Sequence, residues 1–301
     1  MPKGSKVIKL FLFFLVFASL APFACAERLI IVEKVSRTLY LYQDGEILKA
    51  FPVSLGFNPV SPKTRRGDGA TPEGLYYVND KHPSKKYNLF VGISYPNLKD
   101  IESARWRGEL SPTEYEVCLA ELKKGGWSCP LGNSVGIHGG GVFRKGKYGL
   151  ERDWTHGCIA LDDEDMKEVY RFARIGTPVL IYSAQRPLFD ILKHLVPQIP
   201  CGTPGTTWHG NWEFVSAGTL LRVSLSEDPS GRRQLTIVGY QPDSEHLLFW
   251  FNDRNGDGVL EPWEPKTCLD RCQSYSEIKR LILETLPFWI QSQTSLLGRG
   301  G

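Results

Sequence analysis

The sequence predicts a mainly β protein with helices: a β-sandwich-like domain followed by a small α+β module. Three observations carry this. Residues 28–54 run as β-branched, apolar segments around the Asp44-Gly45 turn, the pattern of a β-meander. No long helical period precedes residue 97. Residues 185–206 then collect Pro187, Pro197, Pro200, Pro204 and several glycines, which marks a linker between two parts of the chain.

The chain opens with Lys3, Lys6 and Lys9 before an apolar run from Leu10 to about Ala24, and the run closes on Ala24-Cys25-Ala26. A basic n-region, a short h-region and an A-x-A site form a secretory signal peptide, residues 1–26, cleaved after Ala26. The run is short for a membrane span, so contact with a membrane is expected only through this segment if it stays uncleaved. The expected address is the periplasm or cell envelope. The formal charge of +3 belongs to those three lysines, and removing them leaves 33 bases against 33 acids. A neutral mature chain gives no case for nucleic-acid binding.

Taken in order, Arg28–Val35 is a first strand, Thr38–Tyr42 a second and Glu46–Ser54 a third. Residues 57–71 are rich in Pro, Gly and charge and read as a loop. Leu75–Asn79 and Leu89–Ser94 are further strands. Residues 97–132 read as an insertion, with a helix starting at Ser111-Pro112-Thr113-Glu114 and presenting Tyr115, Leu119 and Leu122 on one face. Cys118 and Cys129 flank a short Lys/Gly-rich segment and are expected to pair, because an exported chain permits disulfides. Such a staple would make the insertion a lid or wall, or a plain structural excursion. Cys201, Cys268 and Cys272 cannot be paired from sequence.

Val135–His138 is a short strand. Asp162–Asp165 supply caps and first-turn acids for a helix reaching about Arg174, and Met166, Val169, Tyr170 and Ala173 give its buried face. Val179–Tyr182 is the last strand of the first domain, residues 27–184. The remainder, 207–301, reads as a separate module. Its strands are Leu220–Leu225, Gln234–Tyr240 and Leu247–Phe251, and a last helix carries Ile278, Leu281, Ile282 and Leu286. Pro287 is expected to kink or end that helix.

The chemistry concentrates between Ile137 and Leu161. His138-Gly139-Gly140-Gly141 opens a polar loop, and Thr155-His156-Gly157-Cys158 closes it, with sixteen residues between His138 and Thr155. A thiolate is the nucleophile in cysteine enzymes, and a nearby imidazole raises its fraction. Gly157 lets the backbone approach a substrate, and the Gly157 and Cys158 amides are candidates for an oxyanion site. A buried structural Cys beside core histidines is the plain alternative, but Gly-flanked His and Cys on a loop are poor core material.

His138, a loop of this length and then Thr155-His156-Gly157-Cys158-Ile159 together resemble the signature of L,D-transpeptidases, the YkuD-type catalytic domain. Thr71-Pro72-Glu73-Gly74 with Tyr76, and Gly176-Thr177-Pro178-Val179, are similar to strand segments of the same family. The resemblance covers about Arg28 to Ser183 and implies a β-sandwich-like catalytic domain acting on peptidoglycan stem peptides. It implies Cys158 as nucleophile, His138 as general base and a backbone carbonyl near Gly139 orienting the imidazole, with no cofactor for catalysis. His156 would shape the loop or, being close to the thiol, take part in catalysis by carrying protons. Arg144, Lys145, Lys147 and Arg152 would either collect an anionic substrate or form a solvated face. Ala160 departs from the Arg that many members carry two residues after the catalytic Cys. Ile93-Ser94-Tyr95-Pro96-Asn97 resembles a subgroup that includes amidases freeing lipoprotein from peptidoglycan. A hydrolase (carboxypeptidase or amidase) on this fold therefore stays open, as does a non-catalytic wall-binding protein.

A second constellation spans Asp253 to Glu264. Asp253, Asn255, Asp257, the Val259 carbonyl, Glu261 and Glu264 occupy the positions of a twelve-residue Ca²⁺ loop, with Gly256 and Gly258 between them. The preceding Leu-Leu-Phe-Trp-Phe reads as strand and Pro262 and Pro265 oppose an exiting helix, so this is a lone loop, not an EF-hand. It would hold a structural ion, or be an Asn/Asp/Gly turn that binds nothing.

Overall fold

The computed structural model describes residues 28–124, 128–147, 149–193, 195, 207–216, 218–244, 246–259, 266–268 and 274–297. The expected signal segment with Cys25, most of 194–206 with Cys201, and Glu261, Glu264 and Cys272 lie outside the described residues.

Strands β1 (Arg28–Glu33), β2 (Thr38–Gln43) and β3 (Glu46–Pro52) form the expected meander. Strands β4 (Gly74–Ser84) and β5 (Asn88–Ile93) are a longer hairpin than the sequence suggested. Helices α1 (Leu98–Trp106) and α2 (Pro112–Lys124) follow, then β6 (Gly136–His138), a small ribbon of β7 (Arg144–Gly146) and β8 (Gly149–Glu151), β9 (Ile159–Ala160), α3 (Asp163–Phe172) and β10 (Pro178–Tyr182). Eight of these strands form one sheet in the order β3-β2-β1-β10-β4-β5-β6-β9. The site strands β6 and β9 are parallel neighbours at its edge.

Helix α1 was not expected. Its signal is local: Asn97 accepts from the amides of Lys99 (2.9 Å) and Asp100 (3.2 Å), and the Asp100 carboxylate accepts from the Asn97 amide at 2.8 Å. That is a capping box with Asn and Asp in place of the usual pair. Asp100 is also the acceptor of the Tyr76 hydroxyl at 3.1 Å, and burial raises its carboxyl to about 6. The folded chain therefore holds a proton at pH 4–6 that the unfolded chain has released. The stabilisation is complete below about pH 4 and is lost as pH rises through about 6. Asp100→Asn should remove this slope: the wild-type advantage in urea unfolding falls between pH 4.5 and 7, by up to about 3 kcal/mol for a shift of this size. A difference independent of pH would refute it.

Cys118 and Cys129 are bonded, as expected. The staple ties α2 to the turn before β6, and the Glu121 carboxylate accepts from the Ser128 and Cys129 amides at 2.6 and 2.8 Å. Closing an eleven-residue separation is worth about 3 kcal/mol by chain entropy. Cys118→Ala with Cys129→Ala should lower stability by about that amount, and chemical unfolding measures it. Cys268 is also disulfide-bonded.

The core has two compartments, one on each face of the large sheet. Ile30 and Val32 of β1 face the first with Val91, Ile137, Ile159, Met166 and Val169. Leu29 and Ile31 face the second. A strand buried on both faces reads as a continuous apolar run, and Leu-Ile-Ile-Val in β1 is such a run. The second compartment is filled by α4 (Leu188–Lys193), by the sheet β11 (Trp208–Ser216), β12 (Thr219–Glu227), β13 (Arg233–Tyr240), β14 (Leu247–Asp253) and β15 (Lys266–Cys268), and by α5 (Tyr275–Leu297). These five strands form an antiparallel meander whose alternating residues Trp212, Phe214, Val223, Ile237, Phe249 and Phe251 point inward.

Three expectations change here. Residues 207–301 keep their own sheet but do not own a separate core, since Leu29, Ile31, Tyr42 and Leu180 complete it. Within the expected linker, Leu188, Phe189, Ile191 and Leu192 are buried in that same core. Helix α5 also continues through Pro287. The buried stripe Ile278, Ile282, Leu286 and Ile290 at four-residue spacing offsets the lost amide hydrogen bond.

Candidate active site

Parallel pairing of β6 with β9 sets the site. Ile137 lies opposite Ile159 and His138 opposite Ala160, which puts Gly136 level with Cys158. Imidazole and thiol therefore leave the same face of neighbouring strands, two residues out of step. Diagonal neighbours of this kind stand roughly 7–8 Å apart at Cα, within the joint reach of a Cys and a His side chain.

His138 is 1% exposed. Its ring stacks on Tyr87 at 4.0 Å and 18°, with Phe90 and Trp154 at 6.4 and 5.7 Å. Nδ1 is 2.6 Å from the Gly139 carbonyl. A carbonyl only accepts, so Nδ1 carries the proton and Nε2 keeps the lone pair. Burial pushes the imidazole below its usual range. The Gly139 bond opposes that, while the Lys86 and Arg144 charges add to it. The ring is thus a neutral base at neutral pH.

Cys158 is half-buried and unpaired. Its Sγ donates to the Ser134 carbonyl at 3.7 Å. Burial pushes the thiol up, and the Gly136 amide and the Lys63 and Lys86 charges pull it partly back. At rest the pair is a neutral thiol beside a neutral imidazole, so the proton must move during attack.

Thr155 fixes the turn that presents Cys158. Its hydroxyl donates to the Cys158 carbonyl at 2.7 Å and accepts from the Gly157 amide at 3.2 Å. The Gly157 amide is therefore spent inside the loop, contrary to the expectation that it faces an oxyanion. Gly157 serves a different need: its φ is +126°, and a Cβ there would lie 2.7 Å from the Ala70 carbonyl. His156 is exposed and packs edge-on against Phe57 at 5.5 Å.

Helix α3 holds the opposite strand of the site. Asp163 accepts from the Gly140 amide at 2.9 Å and Asp162 from the Val142 amide at 3.0 Å. Asp162 is the N-cap residue of α3, yet its side chain makes no bond to that helix. The acids expected as helix caps instead clamp the glycine loop after His138. Gly139 is required because a Cβ would meet the Asp163 carboxylate at 2.3 Å and the Tyr87 carbonyl at 2.7 Å.

Beside Cys158 opens a cleft of about 1250 Å³. The β4–β5 hairpin gives one wall through His82, Lys86, Tyr87 and Phe90. The insertion gives the other through Leu98, Leu122 and the Cys118–Cys129 bridge. The insertion is thus a wall of the site. Of the loop cations, Arg152 is committed to the Val53 carbonyl at 3.1 and 3.3 Å, and Arg144 lies over Trp154 at 4.7 Å.

A family model for the L,D-transpeptidase catalytic domain, YkuD, matches residues 27–181. The chain belongs to the L,D-transpeptidase catalytic-domain family. Among solved structures it is similar to an L,D-transpeptidase from Mycobacterium smegmatis, with 18% identity over 52% of this chain and 59% of that one and a TM-score of 0.31. It is also similar to an Enterococcus faecium L,D-transpeptidase, with 19% identity over 52% and 50% and a TM-score of 0.31. A third, from Mycobacterium tuberculosis H37Rv, shows 16% identity over 52% and 58% with a TM-score of 0.31. The matches thus span between half and three-fifths of those chains. No curated protein matches the sequence.

Several neighbours in this candidate site were not legible in advance. Tyr87, Lys86 and Phe90 arrive through the hairpin, and Lys63 arrives through the 57–71 loop, where it pairs with Asp68 at 2.8 Å. Ala160 is fully buried, with its amide and carbonyl both bonded to Ser54.

The second constellation lies in the turn after β14. Asp253 accepts from the Gly256 and Gly258 amides at 2.6 and 2.9 Å, and Asp257 accepts from the Val259 amide at 2.8 Å and the Asn255 side chain at 2.9 Å. Among the described residues no group of three or more His, Cys, Asp or Glu is placed to hold a metal. Glu261 and Glu264 lie outside them.

Proposed function

We propose that the chain is an exported L,D-transpeptidase that forms a thioester on Cys158 with a peptidoglycan stem peptide. The observation that carries this is the lock of His138 Nδ1 on the Gly139 carbonyl, which leaves Nε2 as the basic nitrogen on the face shared with Cys158. Nε2 removes the thiol proton as Sγ attacks the carbonyl carbon of the diamino acid at position three. The tetrahedral oxyanion faces the Cys158 amide. Collapse breaks the C–N bond, and His138 returns its proton to the departing D-alanine amine. An acceptor amine then attacks the thioester, loses its proton to His138, and the thiol is released. This chemistry needs no metal.

The deciding experiment is mass spectrometry of muropeptides after incubation of residues 27–301 with tetrapeptide-containing peptidoglycan, with Cys158→Ala as control. Dimers linked between two diamino acids support transfer. Tripeptides without dimers, or a peptide stub freed from lipoprotein-loaded sacculi, reassign the enzyme as a hydrolase. That second reading has two features in its favour, the Ile93–Asn97 segment and the methyl group at Ala160 in place of a charged side chain.

The Asp253–Glu264 loop is proposed as a structural Ca²⁺ site on its spacing, with a Kd of about 10⁻⁴–10⁻³ M. Calorimetry of the mature chain without heat or melting shift at millimolar Ca²⁺ removes it.

A further inference from the structure

Lys86 sits at the tip of the β4–β5 hairpin. The Ser84 hydroxyl accepts from the amides of Lys86 and Tyr87 at 3.3 and 3.2 Å, which fixes the turn. The tip is also pressed onto the site, because Tyr87 stacks on His138 and its carbonyl closes on Gly139. Lys86 Nζ lies 4.9 Å from the Tyr87 ring centre, and its charge bears on both His138 and Cys158.

The other charged side chains that line the cleft have partners of their own. Asp80 pairs with His82 at 2.9 Å, and Glu121 holds two backbone amides. Lys63 is 3% exposed at its side chain and bound to Asp68. Among the described residues lining the cleft, Lys86 is the one Lys or Arg. A cation resting on an aromatic face keeps its hydrogen-bond donors available to an anion. Residue 160 offers no charge, being a buried methyl group.

The geometry points to Lys86 as the group that anchors a carboxylate of the substrate in the cleft beside Cys158. This rests on the reading of the site as one for anionic stem peptides and names the residue that recognises them. A carboxylate on Lys86 lies in the same cleft as the reacting thiol, so it orients the scissile carbonyl as well as holding the peptide. Recognition of this kind enters from the hairpin tip, on the wall of the cleft opposite the insertion.

The test uses two alkylating agents that differ by one charge, iodoacetate and iodoacetamide, on the mature protein. Each forms an S–C bond at Cys158 and releases iodide, but only iodoacetate carries a carboxylate. In Lys86→Gln the iodoacetate rate should fall relative to the iodoacetamide rate by about fivefold, the size expected of one exposed charge. Lys86→Arg should restore the ratio, and Lys85→Gln, whose side chain does not line the cleft, should leave it as in the wild type. With tetrapeptide substrate, Lys86→Gln should raise KM about tenfold, more than it lowers kcat. An unchanged reagent ratio in Lys86→Gln, with an unchanged melting temperature, overturns the assignment whatever the substrate assay gives. A lowered ratio in a protein that turns over no stem peptide keeps the anion site and overturns the transpeptidase reading instead.

Discussion

Cys158→Ala should abolish acyl transfer, with a loss on the order of 10⁴-fold or more, while the melting temperature stays within a few degrees of the wild type. The reason is in the site: Cys158 is half-buried, its Sγ makes one weak bond to the Ser134 carbonyl, and removing it leaves a small gap at the edge of a sheet, not in a core. His138→Ala should cost on the order of 10³-fold, because the thiol is held in its neutral form by burial and then has no base to ionise it. The pH profiles separate the two roles. In the wild type the acid limb should fall below the usual histidine range, since burial lowers the His138 pKa and the ring stays a free base to lower pH. In His138→Ala that limb should vanish, and residual turnover should climb with pH as the raised thiol ionises. Substantial activity in a well-folded Cys158→Ala protein would sink the mechanism. So would an acid limb above the ordinary histidine range.

The motif around His138 and Cys158 was legible because its chemistry is local: residue types and one spacing suffice. The meander, the insertion helix and its disulfide, and the helix after Leu161 were legible for the same reason. What was not legible depends on partners far along the chain. The apolar run in β1 shows that both faces are buried, but not that α4, α5 and a second sheet cover the outer one. The boundary drawn through residues 185–206 followed the prolines and missed the apolar Leu188–Leu192 between them. The Gly157 amide was assigned to the substrate because nothing in Thr-His-Gly-Cys shows that the Thr155 hydroxyl turns back to take it. Tyr87 and Lys86 are ordinary hairpin residues until Gly139 lets the tip close on His138. The Asn97–Asp100 box is the contrary case: its residues stood in plain sequence, but the pair differs from the usual Ser/Thr and Glu.

The largest loss of stability is expected at Glu73, far from the chemistry. Its carboxylate takes Lys34 at 2.7 Å and Arg186 at 3.1 and 3.3 Å, with the Lys34 and Glu73 side chains 1% and 5% exposed. Lys34 also donates to the Ser61 and Thr71 carbonyls, and Arg186 to that of Val60, so the three side chains tie the 57–71 loop to β1. Glu73→Gln leaves a buried ammonium with carbonyl partners alone and should cost about 3–5 kcal/mol in urea unfolding at pH 7. Lys34→Met should cost less, because Glu73 keeps Arg186. The pH dependence identifies the cause. Burial already lowers the Lys34 pKa, and Glu73 is the largest influence raising it. Without Glu73 the folded chain sheds this proton at still lower pH than the unfolded chain, so the variant gains stability as pH rises towards 10.5 and its deficit shrinks. A deficit below about 1 kcal/mol, or one that grows between pH 7 and 9.5, would refute the account. The consequence reaches the thiol. The loop tied down by Glu73 carries Asp68 and Lys63, and the Lys63 ammonium lies 3.7 Å from where a Cβ on Gly157 would sit. The Thr71 hydroxyl accepts from the Gly56 amide, and Gly56 packs between Gly69 and the Gly157 amide. Loosening the loop therefore withdraws both a positive charge from beside Cys158 and the floor beneath its turn. Glu73→Gln should accordingly slow iodoacetamide alkylation of Cys158 at temperatures where the protein is still folded.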